Sequence, residues 1–155
     1  MRSKHIATIG LIVFLIIVAP HIYAQGRTYV GAEKCGKLCH KVEFTSWSAT
    51  KHAKAFESLK PEEQAKKECV NCHVTGGTKD LPGVQCEACH GPGSEYKTIA
   101  IMKVREKAVA AGLVIPTEKI CVTCHNSKSP HYKGFNFAEA SKKVHDKKPK
   151  PTKAD

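Results

Sequence analysis

The sequence predicts a mostly α chain, a set of short helices and loops with little or no β, and three observations predict it. Apolar residues recur at helical spacing over short stretches, and no alternating run reads convincingly as a strand. Glycine and proline punctuate the chain at Gly76-Gly77, Leu81-Pro82-Gly83 and Gly91-Pro92-Gly93, which read as loops and turns between helices. All 8 cysteines fall in four compact motifs, each followed at once by a histidine: Cys35-Gly-Lys-Leu-Cys39-His40, Cys69-Val-Asn-Cys72-His73, Cys86-Glu-Ala-Cys89-His90 and Cys121-Val-Thr-Cys124-His125.

In chain order, Thr28 to Lys34 leads into the first motif. Lys41 to Leu59 is expected to be helical, with Phe44, Trp47, Ala55, Phe56 and Leu59 supplying apolar positions. Pro61-Glu62-Glu63 reads as the opening of a short helix that delivers the second motif, with proline in the first turn and acids at the positive end of the helix dipole. The glycine-rich loop before the third motif and the Gly91-Pro92-Gly93 turn after it bracket that motif. Thr98 to Gly112 reads as one helix closed by its glycine. Glu118 to His125 carries the fourth motif, and Asn136-x-x-Glu139 resembles a capping box opening a helix to His145.

Two thiols and an adjacent histidine, repeated four times, point to covalent attachment of c-type haem: the thiols form thioethers to the vinyl groups and the histidine reaches the iron as proximal ligand. Zinc binding, disulfides and a redox dithiol each account for cysteine pairs, but none of them requires a histidine after every second cysteine. The expectation is therefore four covalently bound haem c groups. Cys35, Cys39, Cys69, Cys72, Cys86, Cys89, Cys121 and Cys124 would form the thioethers, and His40, His73, His90 and His125 would be the proximal ligands. The first motif carries one extra residue in its loop and is the least regular. The cysteine pairs begin 34, 17 and 35 residues apart, which is no simple tandem repeat.

Residues 1–24 read as a signal peptide: Arg2 and Lys4, then an apolar run from Ile6 to Ala19, then Ile22-Tyr23-Ala24 ahead of Gln25. A membrane span needs about 20 apolar residues, so the segment would hold the chain to a membrane only if it stayed uncleaved. The chain is expected to be periplasmic or otherwise exported, with residues 25–146 forming one tetrahaem domain and residues 147–155 a Lys/Pro-rich flexible tail. Taking a 24-residue leader from 155 residues leaves 131, too few to build a large side-chain core around four porphyrins, so the porphyrins are expected to serve as much of the core. Loss of Arg2 and Lys4 takes the formal charge from +11 to +9. Eight haem propionates would offset much of that excess, and nucleic-acid binding is set aside.

His5 and His21 belong to the leader, which leaves His52, His131 and His145 for the far faces of the irons. His52 and His145 fall on expected helices beside Phe56 and Val144, rigid mounts for distal ligands.

The chain resembles the cytochrome c-554 family of tetrahaem cytochromes over about Tyr29 to His145. The resemblance rests on Tyr29-Val30-Gly31-Ala32-Glu33-Lys34-Cys35, on Ser46-Trp47-Ser48-Ala49-Thr50-Lys51-His52-Ala53-Lys54-Ala55, on Gly83-Val84-Gln85-Cys86-Glu87-Ala88-Cys89-His90-Gly91-Pro92-Gly93, and on the terminal helix ending at His145. It implies three haems with two histidine ligands and a five-coordinate second haem, with His52 capping the fourth haem and His145 the third. Two departures stand out. The family's distal ligand for the first haem is a histidine after the third motif, and no histidine lies between His90 and His125 here. Met102 is the soft ligand of that interval; it is either an axial thioether, which raises the potential relative to imidazole, or an apolar gap filler. His131 follows Ser129-Pro130, the segment that the resemblance lays over the open face of the second haem. It has three readings: a ligand that closes that iron, a proton donor beside it, or a solvent-facing side chain.

Two functions follow. One is an electron carrier between redox partner proteins whose identity the sequence leaves open, with association with other cytochromes as a variant. The other is a reductase of nitric oxide or a related nitrogen oxide at an open second haem, with His131 delivering protons. No nucleophile–base motif argues for other catalysis, and the electron carrier is the leading reading.

Overall fold

The computed structural model describes residues 26–147. The leader expected over residues 1–24 lies outside the described residues, as does the expected tail beyond residue 147. Among the described residues there are eight short α-helices, two 3-10 turns and no strand, with one isolated antiparallel bridge between Val74 and Pro82. The helices are α1 (Ala32–Gly36), α2 (Lys41–Ser48), α3 (Lys67–His73), α4 (Cys86–His90), α5 (Ile99–Met102), α6 (Arg105–Ala110), α7 (Glu118–Cys121) and α8 (Phe137–Ala140).

Each attachment motif is built on or beside a helical turn. Residues three or four apart share one face of a helix, so Cys69 and Cys72 on α3, and Cys86 and Cys89 on α4, present their thiols together. In the first motif Cys35 lies on α1, and His40 is the N-cap of α2, so the stretched loop is the link between two helices. In the fourth, α7 ends at Cys121 and a turn carries Cys124 and His125, with the His125 N–H donating to Cys121 O at 2.9 Å.

Several helices are shorter than the sequence predicts. The helix expected over Lys41–Leu59 stops at Ser48, and a 3-10 turn at Phe56–Ser58 resumes it. Thr50 ends α2 locally: its N–H and hydroxyl both donate to Trp47 O, at 2.8 and 2.7 Å. The His52 carbonyl accepts from Ala55 N at 3.2 Å, a tight local turn, and from the distant Val84 N at 2.8 Å. Pro61-Glu62-Glu63 forms a separate turn rather than the start of α3. Glu63 reaches back to Lys60 N at 2.8 Å, and extended Lys66 caps α3 one turn later. Thr98–Gly112 is two helices, broken at Val104, a β-branched residue in extended conformation (φ −115°, ψ 105°). Asn136 does cap α8, its side chain accepting from Glu139 N at 3.1 Å, but α8 ends at Ala140 and a 3-10 turn covers Ser141–Lys143. His52 therefore sits in a turn, and His145 in irregular chain just past the last 3-10 turn, rather than on helices.

The buried apolar side chains among the described residues are Ala32, Ala55, Val70, Val74, Tyr96 and Ala108, three of them alanine. Backbone-directed polar bonds do much of the joining. The buried Thr75 hydroxyl donates to Gly83 O at 3.0 Å and accepts from Gln85 N at 2.8 Å. Trp47 Nε1 donates to Val84 O at 2.9 Å. Gly83 (φ +80°) lies so close to the Ala53 carbonyl that only a residue without Cβ fits there.

Candidate haem-attachment sites

Three of the histidines expected as ligands share one local arrangement. His73 Nδ1 lies 2.7 Å from Ala55 O, His90 Nδ1 3.1 Å from Val114 O, and His145 Nδ1 2.6 Å from Asp146 O. A carbonyl oxygen only accepts, so Nδ1 carries the proton in each, and the lone pair is left on Nε2 for a metal. His40 is similar, with Nδ1 3.9 Å from the Glu43 carboxylate. Such anchoring through the other ring nitrogen is the usual support of an imidazole ligand.

The fold brings the sites together in pairs. The thiols of Cys35 and Cys86 are hydrogen-bonded across the first and third motifs, which pushes the Cys35 thiol well up, with burial adding to the shift. Cys72, from the second motif, is pushed up to about 12 by burial and then by its hydrogen bond with Cys124 of the fourth. Burial pushes Cys89 up to about 11, with Cys121, Cys86 and Cys124 adding to it. Thiols held this protonated are poor nucleophiles until a base or a metal draws the proton off.

The histidines group in the same way. The rings of His52 and His125 have centroids 5.9 Å apart at 59°. Two imidazoles on opposite faces of one metal, each at a bond length of about 2 Å, put their ring centres roughly 6 Å apart, and the observed spacing fits that. Phe135 stacks on His125 at 4.9 Å and 18°, fixing its ring plane. Burial lowers the affinity of His52 for a proton and the nearby His125 lowers it further, which favours the neutral, ligating form. Burial does the same at His90. The bond to Val114 O opposes it, while His145 and His40 both lie close enough to disfavour a cation there. His40 and His145 thus lie near enough to His90 to be felt electrostatically, while His52 and His125 are in ring contact, and cysteine pairs with neighbouring imidazoles are the donor set that c-type haem uses.

Met102 ends α5, half-buried, with its N–H donating to Thr98 O at 2.8 Å. His131 is exposed in the turn after the fourth motif, its N–H 3.4 Å from Ser129 Oγ. Neither side chain is drawn to a proximal histidine by a hydrogen bond or ring contact among the described residues.

Sequence reasoning missed the scaffold of the third site. Glu87, inside that motif, is 1% exposed and accepts from the N–H groups of Val30, Gly31 and Gly93. Gln85 Oε1 accepts from Ala32 N at 2.8 Å, and the Tyr96 hydroxyl lies 3.1 and 2.6 Å from the carbonyls of His90 and Gly91. The available signal was an acid placed inside an attachment motif and followed by Gly-Pro-Gly, a turn in which the Gly93 N–H, with no side chain to shield it, can meet a carboxylate.

The family model described as cytochrome c554 and c-prime matches residues 34–91. Cytochrome c-554 of Nitrosomonas europaea is 41% identical over 101 residues, covering 48% of this chain and 43% of that protein, so the match spans under half of the relative's length. The solved reduced state of cytochrome c554 from Nitrosomonas europaea matches with a TM-score of 0.59 at 29% identity, covering 77% of this chain and 85% of that one. Sequence over residues 34–91 and backbone fold over most of the chain thus agree on one likeness, to the cytochrome c554 and c-prime family.

Proposed function

We propose that this chain is an exported c-type cytochrome that carries four covalent haem c groups and passes single electrons between redox partner proteins. The observation that carries the reading is the pairing of imidazoles: His52 and His125 lie at a spacing that suits two ligands of one iron, beside the fourth cysteine motif. The likeness to cytochrome c-554 supports haem-based electron transfer. Haem c, when bound, supplies a one-electron iron couple.

The chain's own part is attachment, ligation and tuning. Cys35 with Cys39, Cys69 with Cys72, Cys86 with Cys89 and Cys121 with Cys124 hold the thioethers. His40, His73, His90 and His125 are the proximal ligands, His145 caps the third iron and His52 the fourth. Met102 is the candidate thioether ligand of the first iron, against a role as apolar filler, and His131 the candidate ligand or proton donor of the second, against a solvent-facing role. Contact between Cys35 and Cys86, and between Cys72 and Cys124, supports short hops between the first and third sites and between the second and fourth. Export rests on the leader read from residues 1–24, and among the described residues no helix is long and apolar enough to cross a membrane.

The exposure of His131 keeps a second reading in play, reduction of a small nitrogen oxide at an open second iron. Two measurements decide. Intact mass of the mature protein should show four added haems, and three would remove the stretched first site. Electron paramagnetic resonance of the oxidised protein should show only low-spin iron. A high-spin signal that His131→Ala leaves unchanged would mark an open second iron and favour the reductase.

A further inference from the structure

We propose that Glu87 is a fixed buried anion that ties the first attachment site to the third and holds down the reduction potential of the third haem; this rests on the reading that Cys86, Cys89 and His90 carry a haem. An attachment motif asks nothing of the residue after its first cysteine, yet Glu87 there is 1% exposed. Its Oε1 accepts from Gly93 N at 2.6 Å and from Val30 N at 2.9 Å, and its Oε2 from Gly31 N at 2.7 Å and from Val30 N at 3.0 Å. Only donors face it. A protonated carboxyl would have to turn an O–H toward an N–H, so the arrangement suits the anion alone. Among the described residues no Lys or Arg pairs with it, and backbone dipoles alone offset its charge.

Position gives that charge two effects. The donors Val30 and Gly31 belong to the strap that enters α1 and reaches Cys35 four residues later. The same strap is pinned by Ala32 N to Gln85 Oε1 at 2.8 Å and by Thr28 N to Ser94 Oγ at 3.0 Å. Glu87 therefore sets the first site's lead-in against the third site's helix. The second effect is electrostatic. Ferric iron carries one more positive charge than ferrous iron, so a nearby anion favours the ferric state, and burial protects that anion from screening by salt. Gly93 completes the device: a Cβ there would lie 2.9 Å from Glu87 Oε1 and 3.2 Å from Val30 Cγ2, so glycine lets the N–H approach.

The test is a spectroscopic redox titration of purified holoprotein, with intact mass taken for every variant. Glu87→Gln should shift one resolved haem component about tenfold toward ferrous at a fixed solution potential, an upward move of about 59 mV for one electron. Gly93→Ala and Glu87→Asp disturb the same clamp but keep the charge. Both should lower the melting temperature and leave that component within about twofold of wild type. A Glu87→Gln component that does not move overturns the proposal, and so does a Gly93→Ala shift as large as tenfold, which remains readable if Glu87→Gln fails to accumulate. A wild-type mass short of a haem, with the peptide that holds Cys86 and Cys89 unmodified, would sink the underlying reading and the inference with it, an outcome distinct from a loaded protein whose potential does not move.

Discussion

Replacing Gly83 with alanine should be among the most damaging small changes to this chain. Gly83 has φ +80°, and a Cβ there would run into the Ala53 carbonyl oxygen and lie 3.1 Å from that of His52. Left-handed backbone costs an L-residue about 1–2 kcal/mol. Relief of the clash must lift Gly83-Val84 off the His52 segment, which loosens Val84 N to His52 O (2.8 Å) and Trp47 Nε1 to Val84 O (2.9 Å). Each such bond contributes about 0.5–1.5 kcal/mol net, so strain and lost bonds together come to about 2–5 kcal/mol. For a chain of this length that corresponds to a fall in melting temperature of about 4–20 °C. Because His52 hangs on the same segment, the fourth haem should also lose its second imidazole in part of the population. Thermal unfolding followed in the Soret band reads the first effect, and paramagnetic resonance of the oxidised protein reads the second as a high-spin fraction. A melting temperature within about 2 °C of wild type, with all iron low-spin, would refute the argument.

Three further outcomes follow from the same geometry. His52→Ala should turn one low-spin haem high-spin while intact mass stays unchanged; retention of the complete low-spin spectrum would mean that the 5.9 Å pairing with His125 is not an axial pair. Trp47→Phe keeps the ring and loses the bond to Val84 O, so it should cost about 1 kcal/mol in denaturant unfolding without changing the spin state. Met102→Leu should keep the volume of the α5 terminus and remove a soft ligand. A new high-spin or altered first-haem signal is expected, and an unchanged spectrum would assign Met102 to packing.

The mostly α fold and the likeness to cytochrome c-554 were legible because both are written locally. Cysteine pairs three apart followed by histidine, and Gly-Pro-Gly turns, announce themselves within a few residues. The Asn136 cap was legible for the same reason. Helix lengths were not. Lys41–Leu59 is interrupted by the Thr50 bonds to Trp47 O and is joined at the His52 carbonyl to Val84, a residue 32 positions away, and apolar spacing carries no trace of either. Glu87 was missed because its partners at Val30 and Gly31 lie 57 and 56 residues distant, so that in sequence it is a spacer between two cysteines. The two stretches that carried the resemblance most strongly, around Trp47–His52 and Gly83–Cys86, are joined by the Trp47–Val84 and His52–Val84 hydrogen bonds.

The scarcity of buried apolar side chains has an evolutionary consequence. In most domains drift is checked at many interior positions, because each must fill its volume. Here only Ala32, Ala55, Val70, Val74, Tyr96 and Ala108 carry that burden among the described residues, and three of the six are already alanine. The shape is specified instead by backbone carbonyls that anchor imidazoles and by glycines that let one segment touch another, at Ala55, Val114, Gly83 and Gly93. A carbonyl is present whatever the side chain, so most positions can change freely while a handful cannot change at all. Such a chain can wander far in sequence and still bring the same segments together around its cysteine motifs.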